Sequence, residues 1–240
     1  MNEEENKGKH LSEEDVKYYC KPLKSSDDEE KKLYQIEEEF RAGIDAMKKL
    51  GPSVSFYGGA RFKEDHKVYK KVQHLANRIV KELNYNIITG GGGGVMEAAS
   101  RGAYETQGNA IGLTIRLPKE QDTNKYVTQE IPFRFFFARQ VSMSYTTEVC
   151  IFCPGGFGTM NELFEILTLE QTGKIGKIPI IFFDTEYWKP LEKVIEETFL
   201  KKYETIAPKD LNLYTITDDE DTVLEIIKSS KIRDGEDSLN

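Results

Sequence analysis

Alternation constrains this chain more than any other feature. Short, predominantly apolar runs, "SVSFYGG", "YNIITG", "AIGLTI", "VCIFC", "IPIIFF" and "LYTIT", are separated by longer stretches in which apolar residues recur every three or four positions. A strand covered on both faces has no polar side and reads as a continuous apolar run, whereas a helix lying on a sheet shows a single apolar stripe. Alternation of the two predicts an α/β chain: a doubly wound, mostly parallel sheet of the modified Rossmann kind, with helices on both faces. Helices are expected over 67–83, where Val68, Val72, Leu75, Ile79 and Leu83 share one side, and over 94–106, 133–146, 159–172, 186–202 and 219–229. One more precedes the first strand. Ser25 and Ser26 suit its N-cap, Leu33, Ile36, Phe40, Ile44 and Met47 keep helical spacing to about Leu50, and Gly51-Pro52 stops it. Residues 1–24 are charged and aperiodic, predicting a disordered arm; 25–230 reads as one Rossmann-like domain and 231–240 as a polar tail.

At 240 residues and 38% hydrophobic, the chain can bury one large core. Its net charge of -8 disfavours broad contact with nucleic acid, which depends on lysines and arginines neutralising phosphates. No apolar run approaches the roughly 20 residues that span a bilayer, and the charged amino terminus lacks a signal-peptide core. The expectation is a cytoplasmic protein without membrane contact, whose anionic ligands are held by a local site. Cys150 and Cys153 form a C-x-x-C, but on a strand residues three apart point to opposite faces, so they read as small core residues and not as a disulfide or half a metal site. His10, His66 and His74 lie in the tail or in a lysine-rich helix, in no arrangement that suggests a triad or a zinc helix. Neither a metal nor a cofactor is expected.

Ligands of such sheets sit beyond the carboxyl ends of the strands, and here three strand-to-helix loops carry glycine. They are "FYGGAR" with Gly58 and Gly59, "TGGGGGVMEAA" with Gly90 to Gly94, and "CPGGFGT" with Gly155, Gly156 and Gly158. Neither the G-x-G-x-x-G fingerprint nor the G-x-x-x-x-G-K-[ST] loop is present, which disfavours dinucleotide redox chemistry and P-loop hydrolysis. A phosphate or phosphosugar at helix N-termini remains. The third loop leaves one residue open to two readings. Thr159 followed three positions later by Glu162 matches a capping box, which makes Glu162 scaffolding. A carboxylate near the positive end of a helix that faces a ligand is equally consistent with chemistry.

"PGGFGTMNELFEILTLEQTGK" resembles the P-G-G-x-G-T-x-x-E signature of the LOG (Lonely Guy) family, often mislabelled as lysine decarboxylases. "TGGGGGVMEAASRGA", "LPKEQDTNKY" and "FFFARQVSM" are similar to that family's second glycine motif, its longer branch and its arginine-bearing helix, so the resemblance runs over roughly residues 30 to 230. The chain departs from the pattern at Gly59, Gly93, Ser100 and Gln140, the last standing where a lysine normally follows the family arginine.

The resemblance implies a nucleotide-binding catalytic domain that cleaves the N-glycosidic bond of a nucleoside 5′-monophosphate, AMP or a cytokinin-type nucleotide, to free base and ribose 5-phosphate. It implies catalytic roles for Arg139 and Glu162. Phosphate binding would fall to Gly91, Gly92, Gly93, Gly94, Gly155, Gly156, Gly158 and Thr159, and substrate contacts to Gly58, Gly59, Met96, Glu120, Gln140 and Thr168. It also implies a homodimer or higher homo-oligomer. A non-catalytic carrier of a nucleotide or of molybdenum cofactor is the alternative, since related proteins on this fold share the loop. Amino-acid decarboxylation would need a lysine for pyridoxal phosphate, and none lies in or beside the glycine loops before Lys174. Arg134 and the run Phe135 to Phe137 read as structural, the phenylalanines as a core wedge.

Overall fold

In a computed structural model, which describes residues 26–115, 123–145 and 147–232, the apolar runs become strands of one sheet. They are β1 (Ser53–Tyr57), β2 (Asn86–Thr89), β3 (Ala110–Ile115), β4 (Gln129–Phe133), β5 (Val149–Phe152), β6 (Ile180–Phe183) and β7 (Tyr214–Thr217). All pairings are parallel, in the order β4-β3-β2-β1-β5-β6-β7. Val54 of β1 lies opposite Ile87 of β2 on one side and Val149 of β5 on the other. The chain builds outward from β1 in one direction as far as β4, then returns to place β5 on its other side. Strand order therefore reverses between β1 and β5, where crevices open in sheets of this kind.

The helices are α1 (Ser26–Lys48), α2 (Lys67–Leu83), α3 (Val95–Glu105), α4 (Phe136–Tyr145), α5 (Phe157–Gln171), α6 (Thr185–Val194) and α7 (Glu220–Ser229). They cover the sheet in two layers. One core joins Val68, Val72, Leu75 and Ile79 of α2, Ala98 and Ala99 of α3 and Val223 and Leu224 of α7 to Val149, Ile151 and Cys153. The other joins Met47 of α1, Ala138 and Met143 of α4, Leu163 and Ile166 of α5 and Trp188 of α6 to Cys150 and Phe152. Alternate residues of one strand thus enter opposite cores, and the two cysteines are separated by the sheet, as strand geometry requires.

Three local features depart from the sequence expectation. β4 was not anticipated, and the helix expected over 133–146 begins only at Phe136. "QEIPF" is half polar because it is an edge strand, and Pro132, which cannot donate to a ladder, is tolerated there since β4 pairs with β3 alone. The expected helix 186–202 is α-helical only as far as Val194 and continues as a π-helix over Ile195–Lys202; Pro190 within α6 has no N–H to give its ladder. A 3-10 turn, Pro208–Leu213, leads into β7. The charged arm 1–24 lies outside the described residues, as does most of the tail 231–240. No helix among the described residues is long and apolar enough to cross a membrane.

Candidate functional site

The loops after β1, β2 and β5 meet at the carboxyl edge of the sheet. The Gly59 amide donates to the carbonyl of Pro154 at 2.9 Å, tying the first loop to the third, and the Gly59 carbonyl accepts from Val95 at 3.0 Å, tying it to the start of α3. Gly94, at φ 64, packs directly on the backbone of Gly59 and Ala60, so both its conformation and its surroundings exclude a side chain. Gly58 lies against Val95, and Gly93 passes close to the Ala60 carbonyl. Gly156 and Gly158 border open space, at the N-cap and in the first turn of α5. The N-terminal amides of a helix have no partners within it, and their dipole favours an anion.

Beside these loops lies the ion pair. The first turn of α4 brings Arg139 against the end of β3, where its Nε donates to the Leu113 carbonyl at 2.7 Å. Its Nη1 donates to Glu162 Oε1, also at 2.7 Å, and Nη2 fits against Gly90, where a Cβ would occupy the same space. Arg139 is 7% exposed. Removing such a pair from water costs more than surface pairing does, so its placement is not explained by stability alone. Burial above all pushes the Tyr57 phenol well above its ordinary range and leaves a neutral hydroxyl near the pair. Burial, followed by the neighbouring Glu162, also pushes the Glu165 carboxyl up.

The capping-box reading of Glu162 does not survive. α5 starts at Phe157, not Thr159, with Gly156 as its N-cap and no side-chain cap bond. Thr159 is its third residue, buried against Gly155, and Glu162 is its sixth, beyond the first turn. Glycine is among the residues favoured at an N-cap, so α5 begins at Phe157 without a side-chain cap.

Met96 Sδ joins Arg139 over Gly90. The backbone carbonyl of Gln140 accepts from Ser144 Oγ at 3.3 Å, and its side chain is half-buried. Thr168 is exposed on α5, its hydroxyl donating to the Phe164 carbonyl of its own helix at 2.6 Å. Glu120 lies outside the described residues. Phe136 and Phe137 are 55% and 45% exposed, so they are not the expected core wedge; they emerge at the start of α4, and the Phe137 ring lies beside Phe40 of α1.

Two residues were missed. Asn124 donates through its amide to the Gly91 carbonyl at 2.8 Å and through Nδ2 to the carbonyls of Gly91 and Gly92, holding the second glycine loop. Its only signal was its place in the family-like "LPKEQDTNKY". The Tyr187 hydroxyl donates to the Gly155 carbonyl, and that residue carried no signal. Among the described residues no group of three or more His, Cys, Asp or Glu is placed to hold a metal ion.

Fold and site together define a Rossmann-type α/β protein with its candidate site at the switch point of a parallel sheet. A family model described as possible lysine decarboxylase matches residues 96–227, more than half of the chain. The chain belongs to that family, the LOG family. A cytokinin riboside 5′-monophosphate phosphoribohydrolase of Arabidopsis thaliana is 26% identical over 132 residues, 52% of this chain and 62% of that protein. One of the same description from Rhodococcoides fascians is 24% identical over 147 residues, 59% and 73% of the two chains. The chain spans about three fifths of the length of the plant relatives it matches. Among solved structures, the molybdenum cofactor binding protein of Rippkaea orientalis superposes with a TM-score of 0.55 at 23% identity, covering 75% of this chain and 98% of that one. At that identity the likeness is one of fold.

Proposed function

We propose that the protein is a phosphoribohydrolase that splits a nucleoside 5′-monophosphate, AMP or a cytokinin-type nucleotide, into free base and ribose 5-phosphate. The observation that carries this reading is the buried Arg139–Glu162 pair beside three converging glycine loops. In the reaction the bond from C1′ to the base nitrogen breaks and its electron pair leaves with the base, which takes up a proton, while water adds to C1′ and gives up a proton. The transition state resembles an oxocarbenium ion, with positive charge on the sugar and negative charge on the departing base. Glu162 supplies an anion to the first and Arg139 a fixed cation to the second or to the phosphate. The amides of Gly155, Gly156 and Gly158, with the Thr159 hydroxyl, cradle the 5′-phosphate, and Gly91 to Gly94 close the other side. Gly58, Gly59, Met96, Gln140, Thr168 and Glu120 complete the substrate contacts in this reading.

Assay of released base across a panel of nucleoside monophosphates tests it. Because binding energy from the remote phosphate orients the reacting centre, kcat/KM for AMP should exceed that for adenosine by on the order of 100-fold or more. Equal use of both would overturn the role given to the glycine loops. Stoichiometric nucleotide binding with no base released would favour a carrier.

The chain also works as a homo-oligomer built from dimers in this reading. Phe157 is 97% exposed beside the third loop, and Phe136, Phe137 and Phe164 add apolar surface on α4 and α5. Light scattering at micromolar concentration should give a mass of at least two chains, and a lone 27.5 kDa species would count against it.

A further inference from the structure

Helix α1 precedes the segment matched by the family model, yet it touches the element that carries Arg139. The start of α4 has orphan amides to satisfy, and the segment "IPFRFFF" offers no Ser, Thr, Asp or Asn to do so locally. The acceptor comes from a distant part of the chain. Glu39 Oε1 of α1 accepts from the amides of Arg134 at 2.8 Å and Phe135 at 2.9 Å, which are 95 and 96 residues away in sequence. The carbonyl of the same residue, in the next peptide group, accepts the Arg139 amide at 3.1 Å. Phe135 thus joins Glu39 to Arg139: its N–H is held by the Glu39 carboxylate, its C=O holds the Arg139 amide, and the Arg139 side chain donates to Leu113 and Glu162.

Packing holds Glu39 in place. Gly43 of α1 lies against Ser142 of α4 and the Phe133 ring, where a Cβ would come within 2.8 Å of a ring carbon, so the two helices cross in close contact. Phe40 sits with its ring centroid 5.8 Å from that of Phe137, and Met47 is fully buried in the core that contains Ala138 and Met143. A carboxylate that caps a helix also meets the positive end of its dipole.

We propose that Glu39 is a positioning residue for the site: from α1 it caps the helix that bears Arg139 and so sets where the guanidinium stands. α1 therefore helps to position the site, an inference that rests on the phosphoribohydrolase reading for its catalytic consequence. The test compares Glu39→Ala with Glu39→Gln, whose side-chain oxygen still accepts from both amides. Displacing a catalytic group by a fraction of an ångström to an ångström is costly, so kcat for base release from AMP should fall on the order of 10-fold in Glu39→Ala with KM little changed, and Glu39→Gln should restore much of it. A purely structural cap would lower the melting temperature and leave kcat per folded molecule as it was, which overturns the proposal.

A second readout needs no substrate. In nitrogen-15 spectra the Arg139 Nε–H signal, assigned by its loss in Arg139→Lys, should broaden or exchange faster in Glu39→Ala and be retained in Glu39→Gln. An unchanged signal in Glu39→Ala overturns the inference even if the wild type hydrolyses no nucleotide, an outcome that would by itself sink only the proposed function. If Glu39→Ala does not fold, Glu39→Asp, which withdraws the carboxylate by one methylene, carries both measurements with the same expected losses.

Discussion

Glu162→Gln should fold and release base from its best nucleotide more slowly by on the order of 100-fold or more, the scale of losing one preorganised electrostatic contact. The substitution keeps the shape of the side chain and an oxygen that can accept from Arg139 Nη1, now 2.7 Å away. What it removes is the negative charge. Because Arg139 is 7% exposed, losing its counter-charge also weakens the native state, by about 1.5 to 3 kcal/mol, the scale of a hydrogen bond to a charged group. Thermal melts run beside the assay separate the two effects. A cap role would have predicted full activity, since glutamine serves a capping box as well as glutamate does. A folded variant with near-wild-type base release would end the case for Glu162 as the group that stabilises the sugar cation.

The second large effect concerns stability. Gly94→Ala should cost about 3 kcal/mol or more, summing backbone strain and overpacking. Gly94 has φ 64 and ψ -123, a conformation that residues with a Cβ rarely adopt. An added Cβ would land on the Gly59 carbonyl oxygen and 2.6 Å from the Ala60 carbonyl carbon, and backbone atoms cannot rotate aside. In a chain of this size the melting temperature should drop by roughly 6 to 12 °C. Gly156→Ala is the contrast: at φ -105 with nothing within 4 Å, it should cost no more than about 1 kcal/mol. Equal losses at the two glycines would show that the close approach of the first and second loops is not what demands glycine at Gly94.

Strands and helices buried on a full face were legible in the sequence, since burial writes a period into the chain. The helix 67–83 and the strand 110–115 have the bounds that periodicity predicts, and Cys150 and Cys153 fall on opposite faces as a two-residue repeat requires. β4 was not legible, because an edge strand half open to solvent carries no continuous apolar run. The start of α5 was not legible, because its glycine N-cap leaves no side-chain signal while Thr159 and Glu162 have the spacing of a capping box. The glycine loops and the pair Arg139 and Glu162 were named from motif and resemblance, and their 2.7 Å contact joins residues 23 positions apart on different helices.

Periodicity, glycine content and charge are properties of neighbours along the chain, so the fold class and the region of the candidate site followed from them. Which side chains meet depends on how the helices settle on the sheet. Asn124 under the second glycine loop, Tyr187 against Gly155 and Glu39 at the head of α4 are contacts made across gaps of many residues. Nothing in local spacing encodes them, because a buried amide or carbonyl takes whichever partner the packed layers bring within hydrogen-bonding distance.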